Sequence, residues 1–153
     1  MTRKTLCLLA GLGSLALLLG ALAFQYWGGL APCKLCIWQR WPHGIAAAAA
    51  ALGLLALPAL AALIGLLSVL TGAGIAFYHT GVERGWWPGP TSCSGGGDLS
   101  GLSGADLLST EGAGAIVMCD EVAWEMLGLS MASWNGLASL GLAVVWVLAL
   151  RAR

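Results

Sequence analysis

Uncharged apolar runs of bilayer-spanning length constrain this chain more than any other feature. The first runs from Thr5 to Trp27. The next, Gly44–Tyr78, is too long for one ordinary crossing, and with Ile37–His43 added it holds two. Pro58 stands in its middle, where a helix interior would lose a hydrogen bond and clash, so a tight turn is expected there. The last run, Trp134–Leu150, is marginal in length, but Arg151 and Arg153 can snorkel from its end. Charged residues make up only 9% of the 153 positions, against about 25% in an ordinary soluble domain, while 59% are hydrophobic. That balance argues against a soluble domain, a disordered chain and a nucleic-acid binder. The expectation is an all-α integral membrane protein, a four-helix transmembrane bundle forming a single membrane domain over residues 1–153. Helices are expected at about 5–27, 37–57, 59–79 and 134–150, with outer loops at about 28–36 and 81–132.

Seven basic and seven acidic residues cancel, but they are segregated. All the acids lie between Glu83 and Glu125, and Arg3, Lys4, Arg151 and Arg153 occupy the tails. Basic tails belong in the cytoplasm by the positive-inside rule, and tails on one side require an even number of crossings. The margin is narrow, because Lys34, Arg40 and Arg84 then lie outside. Trp27, Trp38, Trp41, Trp86, Trp87 and Trp134 fall at the outer helix ends, as an interfacial belt would, and Trp146 lies toward the inner end. Arg3-Lys4, the apolar stretch and Ala21-Leu22-Ala23 resemble a cleavable signal peptide, but the run is long for one, so an uncleaved anchor is expected. Leu30-Ala31-Pro32-Cys33 makes a poor lipoprotein box, since proline precedes the cysteine.

The second outer loop should be mobile over its Gly- and Ser-rich middle, Ser92–Ala115. Beyond it Val122, Met126 and Leu129 share a helical face, so a short interfacial helix is expected, with a packed turn as the plainer alternative. The alanines at 46–51 read as helix filler.

Five cysteines are present. Cys7, inside the first helix, is expected to act as a small hydrophobe. Cys33, Cys36, Cys93 and Cys119 all fall on the outer side, where four cysteines favour disulfide chemistry. A structural Cys93–Cys119 bridge would need no further function. A zinc site would lack its second Cys-x-x-Cys, so no metal is expected. A redox-active pair is favoured, because the Cys-x-x-Cys spacing, a helix N-terminus and a nearby cation all lower a thiol pKa. Arg40 lies four residues after Cys36, on the same helical face, where it would stabilise a thiolate or a bound anion; snorkelling is its plainer role. Two disulfides at one membrane surface imply an electron relay by exchange. In a bilayer the natural acceptor is a lipid-soluble quinone beside Cys36 and Arg40. Trp38 and Trp41 are expected to supply an aromatic wall, and His43 or His79 a hydrogen bond to a quinone oxygen, with core packing the alternative for each histidine.

Cys33-Lys34-Leu35-Cys36-Ile37-Trp38-Gln39-Arg40 closely resembles the signature of the DsbB disulfide bond formation family. Cys119-Asp120-Glu121 with Trp124, then Leu127-Gly128-Leu129-Ser130-Met131 and Trp134-Asn135, is similar to that family's passage into its last helix. Tyr78-His79, Glu83, Gly85-Trp86-Trp87 and Gly89–Cys93 resemble its shorter-loop members. The resemblance covers essentially the whole chain. It implies a bacterial inner-membrane thiol:quinone oxidoreductase with both termini cytoplasmic and its active cysteines periplasmic. Such a protein reoxidises a periplasmic DsbA-like thioredoxin-fold partner and passes the electrons to ubiquinone or menaquinone. By resemblance, Cys93 and Cys119 form the partner-facing disulfide. Cys119 then attacks Cys33, and the freed Cys36 donates to quinone with Arg40 assisting. The family also places a histidine near the outer end of helix three at the quinone, which favours His79 over His43. One departure is Gln39, where the family also accepts glutamate, so no carboxylate stands there. The acids flanking Cys93 and Cys119 mark the surface a partner would dock on, and no nucleic acid is expected. The rivals are a vitamin K epoxide reductase-like enzyme and a non-catalytic membrane scaffold with structural disulfides.

Overall fold

A computed structural model describes residues 1–90 and 117–152. Its elements are α1 (Arg3–Tyr26), α2 (Lys34–Leu55), α3 (Pro58–Glu83), a hairpin of β1 (Glu125–Met126) and β2 (Leu129–Ser130), and α4 (Met131–Arg151). Among the described residues three helices, α1, α3 and α4, are long and apolar enough to cross a membrane. The 22-residue α2 is as long, but Lys34, Gln39, Arg40 and His43 make its first half polar. The helices pack as a ring in which α2 lies between α1 and α3, and α4 closes against α3 and α1. So α2 and α4 face each other across a diagonal.

Leucine faces outward and small residues face inward. Leu8, Leu12, Leu15 and Leu19 of α1 are exposed, as are Leu63, Leu67 and Leu70 of α3, whereas Ala10, Gly11 and Ser14 are buried. Lipid is as apolar as leucine, so helices gain by close backbone approach at small residues. The alanines read as filler carry out this packing: Ala46, Ala49 and Ala50 are buried, and a Cβ on Gly11 would lie 2.1 Å from the Ala50 Cβ. Trp146, toward the inner end, is fully buried over Gly65, whose added Cβ would come within 2.4 Å of the indole. Cys7 is likewise buried in this core.

The helix ends opposite the Cys-x-x-Cys are tied by the N-terminal charges. Arg3 donates to the carbonyls of Ala149 and Ala152 at the end of α4, and Lys4 donates to Leu54 O at the end of α2. Cations there satisfy orphan carbonyls and favour the helix dipoles.

Three local expectations change. The turn falls on Ala56-Leu57 rather than on Pro58, which is the first residue of α3, where its missing N–H has no partner to lose. Helix α3 runs on to Glu83, past the expected end near 79, which puts Glu83 one turn beyond His79. Residues 120–129 form no interfacial helix. Leu127 and Gly128 have φ of 56° and 74°, which makes the two-residue turn that a tight hairpin needs, and Glu125 pairs with Ser130. The left-handed backbone at both positions breaks the helical periodicity on which the expectation rested. Cys93 and the mobility expected over 92–115 fall outside the described residues.

Candidate active site

Cys33 is the N-cap of α2, and its Sγ accepts from the Cys36 N–H at 3.2 Å. That cap turns both sulfurs of the Cys-x-x-Cys toward each other. Cys33 Sγ donates to Cys36 Sγ at 2.7 Å, and both are free thiols. The hydrogen bond to Cys36 and then burial push the Cys33 thiol above its ordinary range. Cys33 is thus the sulfur that keeps its proton. Cys119 is disulfide-bonded and fully buried, and it packs with Cys33, Leu35 and Val82. The ligating atoms of Cys33, His79 and Cys119 lie within 4.8 Å of one another. Three such groups form a familiar metal-binding set, but a sulfur held in a disulfide has no thiolate to offer an ion. The arrangement instead places a thiol beside a disulfide, the geometry of exchange.

A polar chain leads inward from these sulfurs. His79 Nε2 stands 3.5 Å from Cys33 Sγ and 3.8 Å from Glu83 Oε1. The Gln39 side-chain amide lies 2.9 Å from His79 Nδ1 and donates to Leu35 O at 3.2 Å. Asn135 Nδ2 donates to Gln39 Oε1 at 2.8 Å, and its Oδ1 is 2.8 Å from His43 Nε2. Ser130, the N-cap of α4, donates to Glu83 Oε2, which brings that carboxylate to the positive end of α4.

Against this chain lies a cavity of about 390 Å³, lined by Cys33, Cys36, Arg40, His43, His79 and Asn135 and walled by apolar side chains. It falls within the size range of small-ligand sites. Arg40 Nη1 donates to Gln25 Oε1 at 2.6 Å, but Arg40 Nε is buried without a partner among the described residues, and so is His43 Nδ1. An unpartnered donor and an unpartnered ring nitrogen on residues of a mostly apolar cavity suit a mainly apolar ligand with polar atoms at its rim.

The structure brings Cys33, Cys36, Cys119, Arg40, His43 and His79 together. Trp38 is not among them. It lies 44% exposed under Lys34 Nζ, 5.5 Å from the ring centroid, and Trp41 is 70% exposed. The expected aromatic wall is built instead by Phe24, Trp124 and Trp134, because residues 38 and 41 face away from the bundle axis while 36, 40 and 43 face it. Gln25, Asn135, Glu83 and Ser130 are participants that sequence reasoning missed. Their signal was polarity at the ends of otherwise apolar helices, where an unpaired polar group is costly.

Two comparisons bear on this site. The family model described as disulfide bond formation protein DsbB matches residues 3–149. The chain is also similar to disulfide bond formation protein B of Verminephrobacter eiseniae (strain EF01-2). The two are 36% identical over 159 aligned positions, covering 96% of this chain and 86% of that protein.

Proposed function

This chain belongs to the DsbB family, and from that premise we propose that it is a thiol:quinone oxidoreductase of a bacterial inner membrane. It would reoxidise a periplasmic DsbA-like thioredoxin-fold partner. The observation that carries the reading is the Cys33 thiol, held within 4.8 Å of the Cys119 disulfide sulfur on one side and 2.7 Å from Cys36 on the other. A single sulfur can therefore exchange outward and inward.

The relay is written so that every bond balances. The partner's thiolate attacks Cys93 of a Cys93–Cys119 disulfide and frees Cys119 as a thiolate. Cys119 attacks Cys33 of a Cys33–Cys36 disulfide, making Cys33–Cys119 and freeing Cys36. The partner's second thiolate closes its own disulfide and releases Cys93, which attacks Cys119 and frees Cys33. A bound quinone, ubiquinone or menaquinone, supplies the sink for two electrons and two protons from the Cys33/Cys36 dithiol. Arg40 and the two histidines would hold the ring, with Arg40 offering its free Nε–H and His79 standing at the sulfur.

Four membrane crossings, with both tails cytoplasmic and the cysteines periplasmic, belong to the same proposal, α2 being the fourth. The test is quinone reduction by the purified protein supplied with a reduced thioredoxin-fold partner. We expect turnover in the wild type and none in Cys36→Ser. Undiminished turnover in Cys36→Ser would sink the relay. No turnover in the wild type would favour a scaffold.

A further inference from the structure

We infer that Gln39 and Asn135 are positioning residues whose two amides fix the tautomers of both histidines. They direct His79 Nε2–H toward Cys33 Sγ and the Cys119 backbone, and they leave the His43 lone pair on Nδ1, in a ring that borders the cavity. The tautomers follow from the hydrogen bonds alone; what His43 then recognises rests on the thiol–quinone reading.

The direction of every bond is set from one end. A backbone carbonyl only accepts, so the Gln39 atom 3.2 Å from Leu35 O must be its NH2 group. The same nitrogen is 2.9 Å from His79 Nδ1, which must therefore be the acceptor. The His79 proton then sits on Nε2, the nitrogen 3.5 Å from Cys33 Sγ. The Gln39 oxygen faces Asn135, so Asn135 turns its NH2 to it at 2.8 Å and its own oxygen to His43 Nε2 at 2.8 Å. His43 Nε2 must donate. In the neutral ring the lone pair is left on Nδ1, a fully buried atom of a cavity-lining residue with no partner among the described residues.

Both rings are only 3% exposed, so water does not compete for these bonds. The chain also spans the bundle diagonal, joining Gln39 and His43 of α2 to Asn135 of α4. Two residues that border the cavity thus carry buried atoms with no partner among the described residues, a donor at Arg40 Nε and an acceptor at His43 Nδ1. The acceptor suits a hydroxyl, which the reduced ring carries and the oxidised ring lacks.

Nitrogen-15 NMR of histidine-labelled full-length protein in detergent micelles tests this, since the chain has only two histidines. Both rings should show a protonated Nε2 and a bare Nδ1. A protonated Nδ1 on either ring of the wild type would overturn the inference without any variant. Gln39→Glu should move the His79 proton to Nδ1, because a carboxylate only accepts; an unchanged ring contradicts the assignment. Asn135→Ala should let His43 populate both tautomers while His79 stays as it is. The same variant should raise the inhibition constant of the short-chain ubiquinol product about tenfold, the effect of one lost hydrogen bond of roughly 1.4 kcal/mol, and leave the rate of partner exchange unchanged. An unchanged ubiquinol inhibition constant beside a mixed His43 spectrum would refute the part assigned to the cavity. Wild-type protein with the expected tautomers and no quinone reduction would refute the thiol–quinone reading and leave the tautomer assignment standing.

Discussion

At the scale of the residue, Cys33 is helix cap and hydrogen-bond donor through one sulfur atom, and the proposed relay would make the same atom the exchange partner. Its raised thiol has a sign that can be checked. A group held above its ordinary range stays protonated to higher pH, and the first cause here is the bond to Cys36. Alkylation of Cys33 in Cys36→Ala should therefore show a pH midpoint lower than in the wild type. An equal or higher midpoint would show that Cys36 is not what holds the proton. Arg40 allows a second prediction, because its charge is held by Gln25 while its Nε remains free. Arg40→Ala should raise the quinone KM tenfold or more, about 1.4 kcal/mol, with little change in partner exchange. Equal loss in both half-reactions would remove Arg40 from the quinone end.

At the scale of the element, close approach between helices is made by what the side chains lack. At Gly65 a single methyl would meet the Trp146 indole at 2.4 Å, whereas at Gly74, on the same helix, nothing lies within 4 Å. Gly65→Ala should lower stability in detergent by about 1–3 kcal/mol, since a rigid, fully buried ring has nowhere to move. Gly74→Ala should be neutral or gain up to about 1 kcal/mol from helix propensity. Thermal melts of the pair decide the matter, and equal melting of both variants would refute the packing account. The segment 120–129 shows the same principle in reverse. Its apolar spacing suits a helix, but the left-handed pair Leu127-Gly128 closes a hairpin whose end, Ser130, caps α4 and holds Glu83. The turn thereby sets where α4 begins and which side chains reach the cavity.

At the scale of the whole molecule, chemistry gathers at one end of the bundle and the capping cations Arg3 and Lys4 at the other. If that polarity is topology, impermeant thiol reagents on intact spheroplasts should label a cysteine placed at Gly85 and spare one placed at Thr2. Labelling of Thr2→Cys alone would invert the proposed orientation. The sequence by itself determined the membrane character, the helical runs and the Cys-x-x-Cys with Arg40, because each is written within one helix length of chain. It also located His79 near the end of its helix that meets the Cys-x-x-Cys. Only the tertiary structure decided that Trp38 turns away, that Cys119 comes back beside Cys33, and that His79, Gln39, Asn135 and His43 form one chain of hydrogen bonds. Those partners lie 40 to 96 residues apart. Local spacing dictates which face of a helix a side chain shares. Packing four helices in a ring dictates which faces meet, and a buried polar group must find its partner there.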